Sequence, residues 1–202
     1  MKKRRIALFG GSFNPVHIGH LEVAQATLAT GVDELIVMPC NLSPHKVDRQ
    51  DIPPISNEHR WNMLREAFQD IPRVQLSRFE IDGPLRSFSD RTIKRYKEIN
   101  PNADLILVIG FDQYAVLNQW HNFHQWSHTL QYMVFERGPI HEKAPALPEE
   151  LNNLNVQLMT QKIADISSTK IRNHVSQGIS ISGMVPKKVE DYIRRHHLYE
   201  GQ

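Results

Sequence analysis

His17 and His20 stand three positions apart at the close of the run Phe9-Gly10-Gly11-Ser12-Phe13-Asn14-Pro15-Val16-His17-Ile18-Gly19-His20. On a helix this spacing puts both imidazoles on one face, a turn apart, where both can reach one phosphoryl group. Gly10 and Gly11 are expected to take positive φ and to let the backbone approach a ligand with no Cβ in the way. The elements that must hold these residues flank them directly. Arg5 to Phe9 reads as a short buried strand, and Leu21 to Thr30 carries apolar residues at helical spacing. A helix start offers unpaired N–H groups and the positive end of a dipole to an anion. Gly-Gly turns are common and a histidine at a helix start is often only a cap. Their conjunction after an apolar strand points instead to a phosphate site.

The rest of the chain repeats this alternation. Strand-like runs fall at Glu34 to Pro39, Val74 to Ile81, Leu105 to Gly110, Tyr132 to Glu136 and Val156 to Met159. Helical patterns fall between them at Asn57 to Asp70, Ser89 to Asn100 and Gln113 to Asn118. This order predicts an α/β fold, a Rossmann-like, doubly wound and mainly parallel sheet with helices on both faces. Ligands in such sheets bind beyond the carboxyl ends of the strands, so Gly10, Pro39, Phe79 to Gly83 and Gly110 should face one crevice. From about residue 166 a helical extension is expected: Ser167 or Ser168 caps a helix that Gly178 ends, and Pro186 opens a last one. Asn41 to Ser56 and Gly138 to Glu150 read as long loops, so residues 1–202 are expected to form a single domain.

Composition narrows the function classes. The formal charge of +2 is only mildly basic, and the Lys2-Lys3-Arg4-Arg5 cluster has no interleaved aromatic residues. It reads as a solvated strand flank, so no nucleic-acid partner is expected. The single Cys40 excludes an internal disulfide framework and a multi-cysteine zinc site. No apolar run approaches a membrane span, so a cytoplasmic protein without a membrane partner is expected. Nothing identifies a subunit interface, and the oligomeric state is left open. A Walker A loop and a Gly-x-Gly-x-x-Gly fingerprint are absent, which disfavours a P-loop kinase or a hydride-transfer enzyme.

Gly10 to His20 resembles the His-x-Gly-His signature of the nucleotidylyltransferase superfamily, and Ile166-Ser167-Ser168-Thr169-Lys170-Ile171-Arg172 resembles its C-terminal Ile-Ser-Ser-Thr-x-Ile-Arg motif. Between them, Ser43-Pro44-His45-Lys46, Arg86 to Ile93, Ile109 to Gln113 and Trp120 to Phe123 are similar to segments of the bacterial nicotinate mononucleotide adenylyltransferases. The likeness covers nearly the whole chain. It implies transfer of AMP from ATP to nicotinate mononucleotide in NAD biosynthesis, giving deamido-NAD and pyrophosphate. The same chemistry on nicotinamide mononucleotide is the alternative, and a non-catalytic nucleotide-binding sensor a more distant one. Such a sensor has no need to keep His17, His20, Lys46 and Arg172 together.

The resemblance also implies roles. His17, His20, Lys46 and Arg172 would be catalytic, with His20 favoured for the α-phosphate. Gly10, Gly11, Ser12, Phe13, Gly110, Asp112, Ile166, Ser167, Ser168 and Thr169 would bind ATP. Asp112 would accept from a ribose hydroxyl or merely cap the next helix. His45, Ser87, Phe88, Ser89 and Trp120 would bind the mononucleotide, although Trp120 is as readily a core residue. His121, His124 and His128 lack matching carboxylates or cysteines and read as surface or wall residues, not a metal site. Mg²⁺ is expected only as the escort of ATP, held by phosphate oxygens and water. Asn14 stands where many relatives carry Asp. Arg86, Phe88 and Ser89 depart from the Pro-Ser-Tyr-Thr pattern that should read the acceptor carboxylate.

Overall fold

Strand β1 (Arg4–Gly11) shows how the sheet acquires two cores. Its side chains alternate, with Ile6 and Leu8 entering one apolar cluster and Ala7 and Phe9 the other. Strand β4 (Ala103–Gly110) does the same, sending Leu105, Leu107 and Ile109 one way and Ile106 and Val108 the other. Strands buried on both faces need helices on both faces. The computed structural model describes residues 2–42, 55–84, 86–137 and 148–201.

Among these residues β1 and β4 join β2 (Glu34–Pro39), β3 (Val74–Leu76), β5 (Gln131–Arg137) and β6 (Asn155–Ile163) in one sheet of order β3-β2-β1-β4-β5-β6. Every pairing is parallel. On the first face lie α1 (Ile18–Ala29), α2 (Asn57–Phe68), α6 (Ser168–Ser176) and α7 (Lys187–Arg195), whose Val23, Met63, Ile171 and Val189 share one cluster. On the second lie α3 (Ser89–Ile99), α4 (Phe111–Tyr114) and α5 (Phe123–Trp126), which contribute Ile93, Tyr114 and Trp126. The expected doubly wound α/β architecture is the one observed.

The pairing register makes the opening. The β1–β4 ladder runs from Arg4↔Ala103 only to Leu8↔Leu107. Beyond that point β1 stays with β2 as far as Gly11↔Pro39, and β4 with β5 as far as Gly110↔Phe135. The two central strands therefore lead to opposite sides where strand order reverses, and a crevice opens between their ends.

Two expected elements are shorter than their patterns. β3 stops at Leu76 instead of continuing to Ile81, because its ladder to β2 ends at Val37↔Leu76. The chain then turns, with the Asp82 and Gly83 N–H groups donating to the Arg78 and Glu80 carbonyls. The helix expected over Gln113 to Asn118 divides into α4 and a 3₁₀ turn at Leu117–Gln119, where Leu117 is fully buried. No helix among the described residues is long and apolar enough to cross a membrane.

Candidate active site

The opening between β1 and β4 is a crevice of about 910 Å³. Gly10, Gly11, Ser12, Phe13, His17 and His20 line it from the first motif, and Ser167, Ser168, Thr169 and Arg172 from the last. Ile166 is absent from the lining and packs half-buried against the first-face core. The segments after β2, β3 and β4 contribute Cys40 and Asn41, Glu80, and Gly110 and Asp112, so the strand ends do converge on one site. Ser87, Phe88, Ser89, Trp120 and His121 complete the far wall. His45 and Lys46 lie outside the described residues.

The two glycines keep one half of their expected role, the absent Cβ, and not the other, the positive φ. Both stand in extended strand, and the positive φ of the turn belongs to Phe13, at 44°. What matters at Gly10 and Gly11 is the missing side chain. A Cβ on Gly11 would meet the Phe13 ring at 3.0 Å, whereas one on Gly10 would enter open space. Since Gly10 lines the crevice, that space belongs to the crevice. Gly19 has a similar reason, because a Cβ there would lie 3.2 Å from His17 Nδ1 and 3.3 Å from the Ala164 carbonyl oxygen.

His17 and His20 are buried at the floor with ring centroids 3.7 Å apart. His20 also sits edge-on to Phe13, at 4.8 Å. His20 Nδ1 accepts from the His17 backbone N–H at 3.2 Å, so the proton of the neutral ring lies on Nε2. The start of α1 supplies fewer amides than the helix start alone implies. The His17 N–H is taken by His20, and the Ile18 N–H donates to the Met184 carbonyl at 3.0 Å. At α6 the case differs: the Ser167 hydroxyl accepts from Lys170 N–H at 3.2 Å, while the N–H groups of Ser168 and Thr169 have no acceptor among the described residues. α6 is thus the better amide donor to an anion.

Hydrogen bonds stitch the distant motifs together. Ser168 Oγ donates to the Pro15 carbonyl at 2.8 Å, and Arg172 donates to the Asn14 carbonyl at 2.9 Å and to Thr169 Oγ1 at 3.2 Å. Ala164 N–H donates to the Glu22 carboxylate at 2.6 Å, fixing the loop before α6 against α1.

Arg60 is a site residue that the motif pattern passes over. It is 5% exposed and donates to the Ser12 and Cys40 carbonyls at 2.8 and 2.7 Å, and to Asn41 O and Asn57 Oδ1. Burial lowers its pKa, and Cys40 and Tyr199 pull the other way. All four oxygens are neutral, so its positive charge adds to the crevice floor. A sequence signal existed: Arg60 shares the spacing of Met63, Leu64 and Phe68, the buried stripe of α2.

The far wall is aromatic and acidic. Trp120 is half-buried, packing on the second-face core while lining the crevice. His121 stacks at 4.7 Å on Phe88 and lies 2.9 Å from Asp90. Partial burial raises the Asp90 carboxyl, but bonds from Asn122, His121 and the Arg91 N–H outweigh it and hold the group below its ordinary value. Burial instead prevails at Glu80, raising its carboxyl although the Thr92 hydroxyl donates to it at 2.6 Å. Asp112 lies on the rim and crowds Gly110, where an added Cβ would be 2.5 Å from its Oδ1. Among the described residues no group of three or more His, Cys, Asp and Glu side chains could hold a metal ion.

The chain matches the family described as cytidylyltransferase-like over residues 8–174. A protein of Methylacidiphilum infernorum (isolate V4), named probable nicotinate-nucleotide adenylyltransferase, is 32% identical over 196 residues, covering 96% of this chain and 92% of its own. One of the same name from Synechococcus sp. (strain JA-2-3B'a(2-13)) is 34% identical over 202 residues, covering 98% of each. The Plasmodium falciparum nicotinic acid mononucleotide adenylyltransferase complexed with NaAD has the same fold, with TM-score 0.73 at 19% identity over 97% of both chains. With the two motifs on one crevice and relatives of this kind along its full length, the chain belongs to the cytidylyltransferase-like family and, within it, to the nicotinate-nucleotide adenylyltransferases.

Proposed function

We infer that the protein transfers AMP from ATP to nicotinate mononucleotide, forming deamido-NAD and pyrophosphate in NAD biosynthesis. The observation that carries this reading is the convergence of His17, His20 and the Ser167–Arg172 segment on one crevice at the strand-order reversal.

An oxygen of the acceptor phosphate attacks the α-phosphorus of ATP, and the bond to the departing pyrophosphate breaks. The proton inventory is light and no covalent enzyme intermediate is needed. The protein's tasks are to align two polyanions and to neutralise the charge they bring. His20 donates from Nε2 to the α-phosphate and His17 to its neighbour. The Ser168 and Thr169 amides, with Arg172, take the β- and γ-phosphates. Ser12 and Phe13 shape the turn against which the phosphates lie, and Gly10 clears it. Gly110 and Asp112 receive the ribose of ATP. Mg²⁺ arrives as part of the ATP complex and reduces its charge. Lys46 and His45 are the further candidate ligands of the substrates' phosphates.

On the other wall the pyridine ring of the acceptor lies on Trp120, and its carboxylate meets the N-terminal amides of α3 near Ser87, Phe88 and Ser89. The soluble substrates suit a cytoplasmic enzyme. Purified protein with MgATP and nicotinate mononucleotide should release pyrophosphate and deamido-NAD, with higher catalytic efficiency than on the amide. No pyrophosphate with either mononucleotide overturns the reading, and a reversed preference transfers it to the amide.

A further inference from the structure

We propose that Tyr199, near the C-terminal end, is a positioning residue for the phosphate turn and acts through Asn14; the proposal rests on the adenylyl-transfer reading above. The Tyr199 hydroxyl donates to Asn14 Oδ1 at 2.7 Å, across 185 positions of sequence. Both residues are buried, at 3% and 6% exposure. Asn14 follows Phe13, whose φ of 44° is a conformation that a bulky side chain holds only when its surroundings fix it. Three residues later comes His17. The Asn14 main-chain carbonyl is held by Arg172 and its side chain by Tyr199, so one residue of the turn is gripped from two sides.

The C-terminal unit is placed to exert this grip. Helix α7 packs on α2, where the Tyr192 hydroxyl lies 3.0 Å from His59 Nδ1 and accepts from Asn62 Nδ2 at 3.2 Å. The chain then turns back, and Leu198 and Tyr199 enter the first-face core. From the same unit Met184 O accepts the Ile18 N–H at the start of α1. Burial pushes the Tyr199 hydroxyl well above its ordinary value, more than the Arg172 and Arg60 cations pull it down, so it stays a donor at neutral pH. Removing that hydroxyl frees the Asn14 side chain to rotate, and Asn14, within the turn that orients both imidazoles, loses one of its two anchors.

Tyr199→Phe should lower kcat by about tenfold, the effect of a small displacement at a reacting centre, with KM for ATP changed less than about threefold. Asn14→Ala should do the same, and the double variant should be no slower than the slower single one, since both remove one bond. Tyr192→Phe removes a hydroxyl from the same C-terminal unit and should leave kcat within about twofold. Assays run well below each variant's unfolding midpoint separate geometry from stability. On the protein alone, the imidazole NMR signals of His17 and His20 should shift in Tyr199→Phe and not in Tyr192→Phe. Wild-type kcat in Tyr199→Phe, multiplying effects in the double variant, or unmoved imidazole signals each overturn the role of Tyr199. An inactive wild-type protein removes the reaction instead, and the NMR comparison still decides the role of Tyr199.

Discussion

The two walls of the crevice come from opposite faces of the sheet and are built in opposite ways. The first, from α1, α2 and α6, holds buried cations against neutral oxygens: Arg60 on main-chain carbonyls and Asn57, Arg172 on Asn14 and Thr169. The second, from α3 and the segments after β3 and β4, carries Glu80, Asp112, Phe88, Trp120 and His121. Buried positive charge set against neutral oxygens favours a polyanion. A wall of partly exposed aromatic and acidic groups suits flat rings and ribose hydroxyls instead. The first wall is also cross-linked between segments some 150 positions apart, whereas Phe88, Asp90 and His121 hold one another locally. On the proposed reading, alignment and charge neutralisation fall to the cross-linked wall, and acceptor recognition to the other.

If that division is right, damage to the first wall should appear in kcat and damage to the second in KM. The largest effect is expected for His20→Ala, which should lower kcat about a hundredfold or more in a folded protein, the scale of losing one transition-state donor. Near-normal turnover would remove His20 from the reaction. Arg60→Met should come next, because it strands several buried carbonyls and should cost about 3 kcal/mol of stability in denaturant unfolding. It should also weaken ATP binding, and Arg60→Lys should restore part of that binding and little of the stability, since lysine returns the charge without the fork.

On the other wall, Trp120→Ala should raise the acceptor KM by about tenfold while kcat changes less than about threefold, as for loss of one aromatic contact. A fall in kcat alone would blur the two walls. The smallest effect concerns Glu80, whose carboxyl burial holds above the ordinary 4.5. The folded protein then binds the Glu80 proton more tightly than the unfolded chain does. Its contribution to stability is complete below 4.5 and is lost as pH rises through the elevated value. Thermal unfolding midpoints of Glu80→Gln should lack that component of the decline, and identical pH profiles would remove it.

Much of the first wall was legible because its signals are local. Strand β1, the turn and α1 follow one another within a single run, and His17 and His20 need only helical spacing to share a face. Ser167 to Arg172 was legible for the same reason, as a helix start with a forked donor one turn along. The reading failed where one residue type serves two purposes. Gly10 and Gly11 were expected to combine positive φ with the absent Cβ, but only the absent Cβ is used while Phe13 takes the unusual backbone. Arg60 drew no assignment although it lies on the apolar stripe of α2. Likewise the strand-like run of β3 continues past Leu76, where its ladder to β2 has ended.

By itself the sequence determined the alternation of strands and helices, the order of the motifs and the groups available for phosphate chemistry, because periodicity, capping and spacing act over a few residues. Only the tertiary structure decided that β1 and β4 part after Leu8↔Leu107, that Arg60 faces neutral oxygens, and that Tyr199 reaches Asn14. Each depends on contacts between residues far apart in the chain, and their energy appears only when packing excludes water from both partners.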